Sequence, residues 1–168
     1  MIAIRLATPS DAPDIAEILM RSWEVAYGNI IPSDFIRKRN SARVEQFKQA
    51  ITEENNTYYA IQTDDKTVGY MRVVNVLNDD GSESEVSDLE QIYLHPDYYR
   101  QGIGTKAMGF AYSVALRFNK KAMIVWVLAE NVAAIKFYEN CGFVADGERK
   151  EREYGKVLEI MRMSKSLQ

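Results

Sequence analysis

The chain has 168 residues, 46% of them apolar and 27% charged, with a net charge of −3. That is the composition of one soluble globular domain, here taken as residues 1–168, long enough to bury a core without staples. The balance leaves no basic excess for nucleic acid or an anionic membrane, and a lone Cys141 and a lone His95 exclude an internal disulfide and argue against a metal site.

Residues 2–7 alternate weakly and predict a strand. Thr8, Pro9 and Asp11 then form a helix start, with a capping residue, a proline at the first position and an acid three residues on. Ile15, Ile18, Leu19 and Ala26 follow at helical spacing, until Gly28 and Pro32 break the pattern. Residues 33–53 are mostly charged helix formers around Phe35, Ile36, Val44, Phe47 and Ile51, and predict one or two short helices.

From Thr57 the period changes to two. TYYAIQ and TVGYMRVVNVL read as strands joined at Asp64–Asp65, NDDGSESE as a polar loop and SDLEQIYL as a further strand. Residues 102–118 predict a helix with Ile103, Ala107, Phe110, Val114 and Phe118 on one face. MIVWVL, 123–128, is a continuous apolar run, as expected of a strand covered on both faces. NVAAIKFYENC is helical with Gly142 as its stop, and FVADGERK and KVLEIMRM pair around Tyr154–Gly155. The order predicts a mixed α/β sheet with helices packed on it. No signal-peptide core and no apolar run near about 20 residues is present, so a cytoplasmic location is expected.

Two glycines, Gly102 and Gly104, open the fourth helical segment. Glycine there brings bare backbone N–H groups close to a ligand, and a helix N-terminus favours an anion. GIGTKA also matches the dinucleotide fingerprint G-x-G-x-x-G/A. That fingerprint opens directly after a strand in a doubly wound series, whereas here seven residues, 95–101, intervene and three strands come first. A P-loop lacks its GK[ST]. A plain tight turn stays open.

DLEQIYLHPDYYRQGIG, then N-x-x-A-x-x-F-Y at 131–138, then Gly142–Phe143, resemble the GNAT superfamily of acyl-CoA-dependent N-acetyltransferases. IRLATPSDAPDIAEI and SWEVAYGNIIP are also typical of bacterial members, and the likeness runs from Ile4 to about residue 164. One departure is Tyr99, where the family pattern has Gln or Arg, with Arg100 one residue along.

The resemblance implies a mostly antiparallel sheet, splayed between its fourth and fifth strands, with helices on both faces. It implies acetyl-CoA as co-substrate, its pantetheine arm against the backbone of Ile92, Tyr93 and Leu94 and its pyrophosphate on Arg100, Gln101, Gly102, Ile103, Gly104 and Thr105. Asn131 matches the residue that binds the arm. Phe137, itself read as core, sits in the same motif, and Tyr138 matches the general acid beside the sulfur, with a core stripe through Ala134, Phe137, Tyr138 and Cys141 as the other reading. Asp88 and Glu90 share a strand face and are the candidates for general base. Cys141 as a nucleophile lacks a base beside it and reads as a small buried residue.

The acceptor side is expected to be lined by Trp23, Tyr27 and Ile31. Six acids between Asp79 and Glu90, and the likeness of ESEVSDLEQIYL to polyamine acetyltransferases, point to a small cationic amine such as a polyamine; a merely solvated acidic loop is the alternative. The expectation is direct transfer to a primary amine in a ternary complex, without a metal, and a homodimer is compatible with it. The second hypothesis is a GNAT fold that binds acyl-CoA as a sensor without turnover.

Overall fold

The computed structural model describes residues 1–53 and 55–168. Seven strands form one sheet in the order β1-β2-β3-β4-β5-β7-β6. They are β1 (Ile2–Leu6), β2 (Tyr58–Thr63), β3 (Lys66–Leu77), β4 (Glu83–Leu94), β5 (Ala122–Leu128), β6 (Val144–Glu153) and β7 (Val157–Ser166). The helices are α1 (Ala12–Tyr27), α2 (Ser33–Asn40), α3 (Arg43–Thr52), α4 (Ile103–Arg117) and α5 (Val132–Asn140). The β1–β2, β2–β3, β5–β7 and β6–β7 pairs are antiparallel, and β4–β5 is parallel. This is the mixed α/β class expected.

The parallel ladder is short. It runs from Val86↔Ala122 to Asp88↔Ile124 and stops, although both strands continue. That is the opening the family likeness implies between the fourth and fifth strands.

The residues group into two compact units. The first comprises Met1–Arg72 and Gln91–Ala107. Its helical entry is the predicted capping box, and Asp11 there accepts both guanidinium nitrogens of Arg5, at 2.7 and 2.8 Å, together with Thr8 N–H and its hydroxyl. Burial alone would raise the Asp11 pKa, but these bonds outweigh it and hold the carboxyl down to about 2. On α1, Ile15, Ile18, Leu19, Ser22 and Trp23 are buried. Ser22 Oγ donates to the Leu94 carbonyl at 2.7 Å, which ties α1 to the end of β4. Gly69 on β3 permits this close approach, since a Cβ there would sit 2.8 Å from the Tyr93 carbonyl and against the Leu94 side chain.

The second unit comprises Val73–Glu90 and Met108–Gln168. Its core holds Leu89, Met108, Ala111, Val114, Ala115, Met123, Val125, Phe143 and Met163. The polar loop is shorter than the sequence predicts, because ESEV already belongs to β4. Glu83 and Glu85 there pair with Lys120 and Lys121.

Two packing expectations need correction. On α4 the buried set is Ile103, Ala107, Met108, Ala111, Val114 and Ala115, while Phe118 is exposed. Small residues let a helix sit close to its neighbours, and the large aromatics drew the predicted stripe too far round. On β5 only Met123, Val125, Val127 and Leu128 are buried, and Ile124 and Trp126 are half-buried. The Trp126 ring is capped by Lys150 Nζ, 3.6 Å from its centroid. A cation thus covers a face that the apolar run alone assigns to other apolar groups.

Candidate active site

The glycine loop lies in the first unit. Arg100 has φ 61° and Gly102 has φ 75°, so the chain twice enters the left-handed region just before α4 begins. A Cβ at Gly102 would meet no other atom, so glycine is there for its backbone angle. Gly104 is inside the first turn of the helix. Gln101 reaches back with its side-chain amide to the Asp97 carbonyl, 3.0 Å away. The His95 ring nitrogen Nδ1 is used by its own turn, accepting from Asp97 N–H.

Leu94 gives one carbonyl lone pair to Ser22, while Ile92 and Tyr93 are half-buried. Tyr93 stacks on Tyr70, with ring centroids 5.7 Å apart.

In the second unit, Asn131 caps α5, and its Oδ1 accepts from Ala134 N–H at 3.1 Å. That bond leaves the amide NH2 of a buried side chain for another partner. A core stripe on α5 would bury Ala134, Phe137 and Tyr138, yet no residue of this helix is fully buried. Phe137 and Tyr138 are half-buried, and Tyr138 packs edge-on to Phe143 with centroids 5.7 Å apart. Burial pushes the Cys141 thiol pKa up, with Lys165 opposing, which is the reverse of what a nucleophilic cysteine needs.

Asp88 occupies the last rung of the parallel ladder and is half-buried. Glu90 lies two residues further, where the ladder has ended, and is exposed. Burial lowers the Lys150 pKa, the neighbouring cations Arg152 and Arg162 add to that, and Asp88 opposes it. The face that carries Asp88 therefore also carries positive charge.

Of the expected acceptor residues, Trp23 and Tyr27 meet edge-to-face at 5.3 Å. Ile31 is a core residue, and its N–H bonds to the Tyr27 carbonyl. A residue that the sequence reading passed over joins them. Arg43, only 5% exposed, lays its guanidinium over Trp23, 4.6 Å from the ring centroid. Its spacing to Phe47 and Ile51 (i, i+4, i+8) puts it on the apolar stripe of α3, which is the signal that would have found it.

Residues 13–143 match the model of the GNAT acetyltransferase family. The chain belongs to that family. It is thereby an acyltransferase by family, as the sequence resemblance implies. An uncharacterised N-acetyltransferase of Methanocaldococcus jannaschii is 25% identical over 160 residues, 95% of this chain and 66% of that protein. The chain thus spans just under two thirds of that relative's length. The uncharacterised N-acetyltransferase YuaI of Bacillus subtilis is 27% identical over 83% of this chain and 78% of its own. In fold, the chain is similar to the PaiA N-acetyltransferase of Thermoplasma acidophilum, solved in complex with coenzyme A, with a TM-score of 0.80, 18% identity and 99% of each chain covered. The ribosomal-protein-S18-alanine N-acetyltransferase of Escherichia coli aligns with a TM-score of 0.68 and 18% identity, over 99% of this chain and 94% of that one.

No described helix is long and apolar enough to cross a membrane. Among the described residues, no group of three or more metal-ligating side chains converges.

Proposed function

We propose that the chain is a single acetyltransferase domain that moves the acetyl group of acetyl-CoA to a primary amine of a small molecule, by direct transfer in a ternary complex. The observation that carries this reading is the parallel β4–β5 ladder, which ends at Asp88 and Ile124 while both strands run on. Backbone that leaves a ladder is free to pair with an amide-bearing arm.

The residues fit such a co-substrate. The left-handed Arg100 and Gly102 turn the loop into the start of α4, where Gln101 to Thr105 offer backbone N–H groups to a diphosphate. Ile92, Tyr93 and Leu94 offer backbone to the arm, and Asn131 its free amide. Phe137, in the same helical motif, is counted with the residues toward the co-substrate. The bound co-substrate supplies an activated acetyl thioester. Asp88 or Glu90, directly or through a water, takes the proton from the acceptor's ammonium, and the neutral amine then attacks the thioester carbonyl. Tyr138 Oη holds the proton that the departing thiolate takes. Trp23 and Tyr27 belong to the acceptor side, and the buried Ile31 supports them from the core, its N–H bonded to the Tyr27 carbonyl.

The acidic run gives a cationic acceptor less support than its sequence promises. Asp80 accepts from Ser82 in its own turn, Glu83 and Glu85 are paired with lysines, and Asp88 lies in the field of Lys150. Asp88 and Glu90 remain as the support for a polyamine, and spermidine tests it. The sensor alternative is separated by product: with acetyl-CoA and a panel of primary amines, CoA release together with an acetylated amine in the mass spectrum is expected. Saturable acetyl-CoA binding with no CoA release across the panel would mean a sensor.

A further inference from the structure

The first unit holds two buried polar groups that the described residues do not satisfy. Arg43 donates Nε–H to Asn40 at 2.8 Å and stacks on Trp23. Its Nη2 is buried and finds no acceptor among the described residues. Tyr70, 0% exposed, has a buried hydroxyl that likewise finds no partner. The two groups feel each other electrostatically, and Tyr93, stacked on Tyr70, faces Arg43 in the same way. The other charge felt by Arg43 is the like-charged Arg39, and among the described residues no carboxylate offsets it. Phe47 and Tyr58 close the Tyr70 ring in, edge-on at 5.4 Å and tilted at 6.4 Å.

A guanidinium taken out of water without a counter-charge is costly, and buried donors are normally paired. An aromatic enclosure with one such donor and one hydroxyl is chemically matched to a planar anion. A carboxylate accepts from a guanidinium and from a phenol at once. The enclosure includes Trp23 and Tyr27, the residues the sequence reading gives to the acceptor, and Tyr27 and Tyr93 are half-open to solvent.

We propose that the acceptor is an amino-carboxylate, its carboxylate received by Arg43 Nη2 and the Tyr70 hydroxyl and its body by the ring faces of Trp23 and Tyr27. This rests on the acetyltransferase reading and replaces the polyamine with an amine that carries its own negative charge.

The test compares amine pairs that differ only in the carboxylate: phenylalanine with phenethylamine, and tyrosine with tyramine, with spermidine alongside. Binding is read as a melting shift in the presence of CoA, and turnover as kcat/KM with acetyl-CoA. The carboxylate members are expected to bind and react about 10–100-fold better, the range set by one charge-assisted hydrogen bond. In Arg43→Gln this preference collapses toward parity, and in Tyr70→Phe, which loses one hydroxyl and little volume, it narrows. A cooperative melt shows each variant folded. Equal response to both members of a pair, no melting shift with either carboxylate, or a preference retained in Arg43→Gln overturns the proposal. Turnover of amines without regard to the carboxylate would overturn it while leaving the acetyltransferase reading in place. Absence of acetyl-CoA binding strikes at that reading instead.

Discussion

Each of the two units buries one cation and encloses the hydroxyl of a buried or half-buried tyrosine, and they treat them in opposite ways. In the second unit Lys120 is 3% exposed, and its ammonium donates to Glu83 at 2.9 Å and to the Ser84 carbonyl at 2.8 Å. Tyr112 there, with its pKa raised by burial, donates to the Cys141 carbonyl at 2.9 Å. In the first unit Arg43 is buried about as deeply as Lys120, Tyr70 more deeply than the half-buried Tyr112, and each leaves a polar atom unspent. Burial of charge is therefore no mark of function by itself. What separates the two pairs is whether the fold completes the hydrogen bonds. Nor is the first unit simply poorer at it, since Asp11 in the same unit receives five.

The difference is sharpest as stability. Lys120→Met keeps the apolar stem and removes the donor, leaving the Ser84 carbonyl short of a partner while the largely exposed Glu83 rehydrates. A loss of about 2–3 kcal/mol is expected, seen as a melting temperature lower by roughly 4–12 °C. Arg43→Met removes a desolvated charge that no described carboxylate offsets, and its loss of Asn40 and Trp23 contacts is small by comparison. Its stability is expected within about 1 kcal/mol of wild type, in either direction. If Arg43→Met melts as low as Lys120→Met, the guanidinium is a structural post and the contrast disappears.

The tyrosines should repeat the pattern on a smaller scale. Tyr112→Phe should cost about 1 kcal/mol through its lost bond to Cys141. Tyr70→Phe should cost nothing or stabilise, because its hydroxyl already lacks a partner. Denaturant midpoints measured side by side check this, and an equal loss in both would break the comparison.

What the sequence shows and hides follows from the range of the signals. The Gly102 turn, the N-x-x-A-x-x-F-Y helix and the Thr8–Asp11 box are local, and each lies where its residues predict. The helical spacing of residues 33–53 is also legible, and it resolves into α2 and α3. Arg43 is not legible as a candidate for the acceptor side, because its setting depends on Tyr70 and Tyr93, which stand on strands far along the chain from α3. The same holds for β5, whose apolar run cannot reveal that Lys150 comes across from β6 to cover Trp126. The acid run misleads for a related reason: Lys120 and Lys121, which take up Glu83 and Glu85, stand well beyond it in the chain.

The most direct test of acetyl transfer with Tyr138 as the acid is the kinetics of Tyr138→Phe on an acceptor that the wild-type enzyme turns over. The half-buried ring keeps its packing on Phe137 and Phe143, so acetyl-CoA affinity should stay near wild type. With the proton donor gone, kcat should fall by roughly 10²–10⁴-fold. A variant with near-wild-type kcat would contradict the assignment and leave Tyr138 as packing on the face of α5.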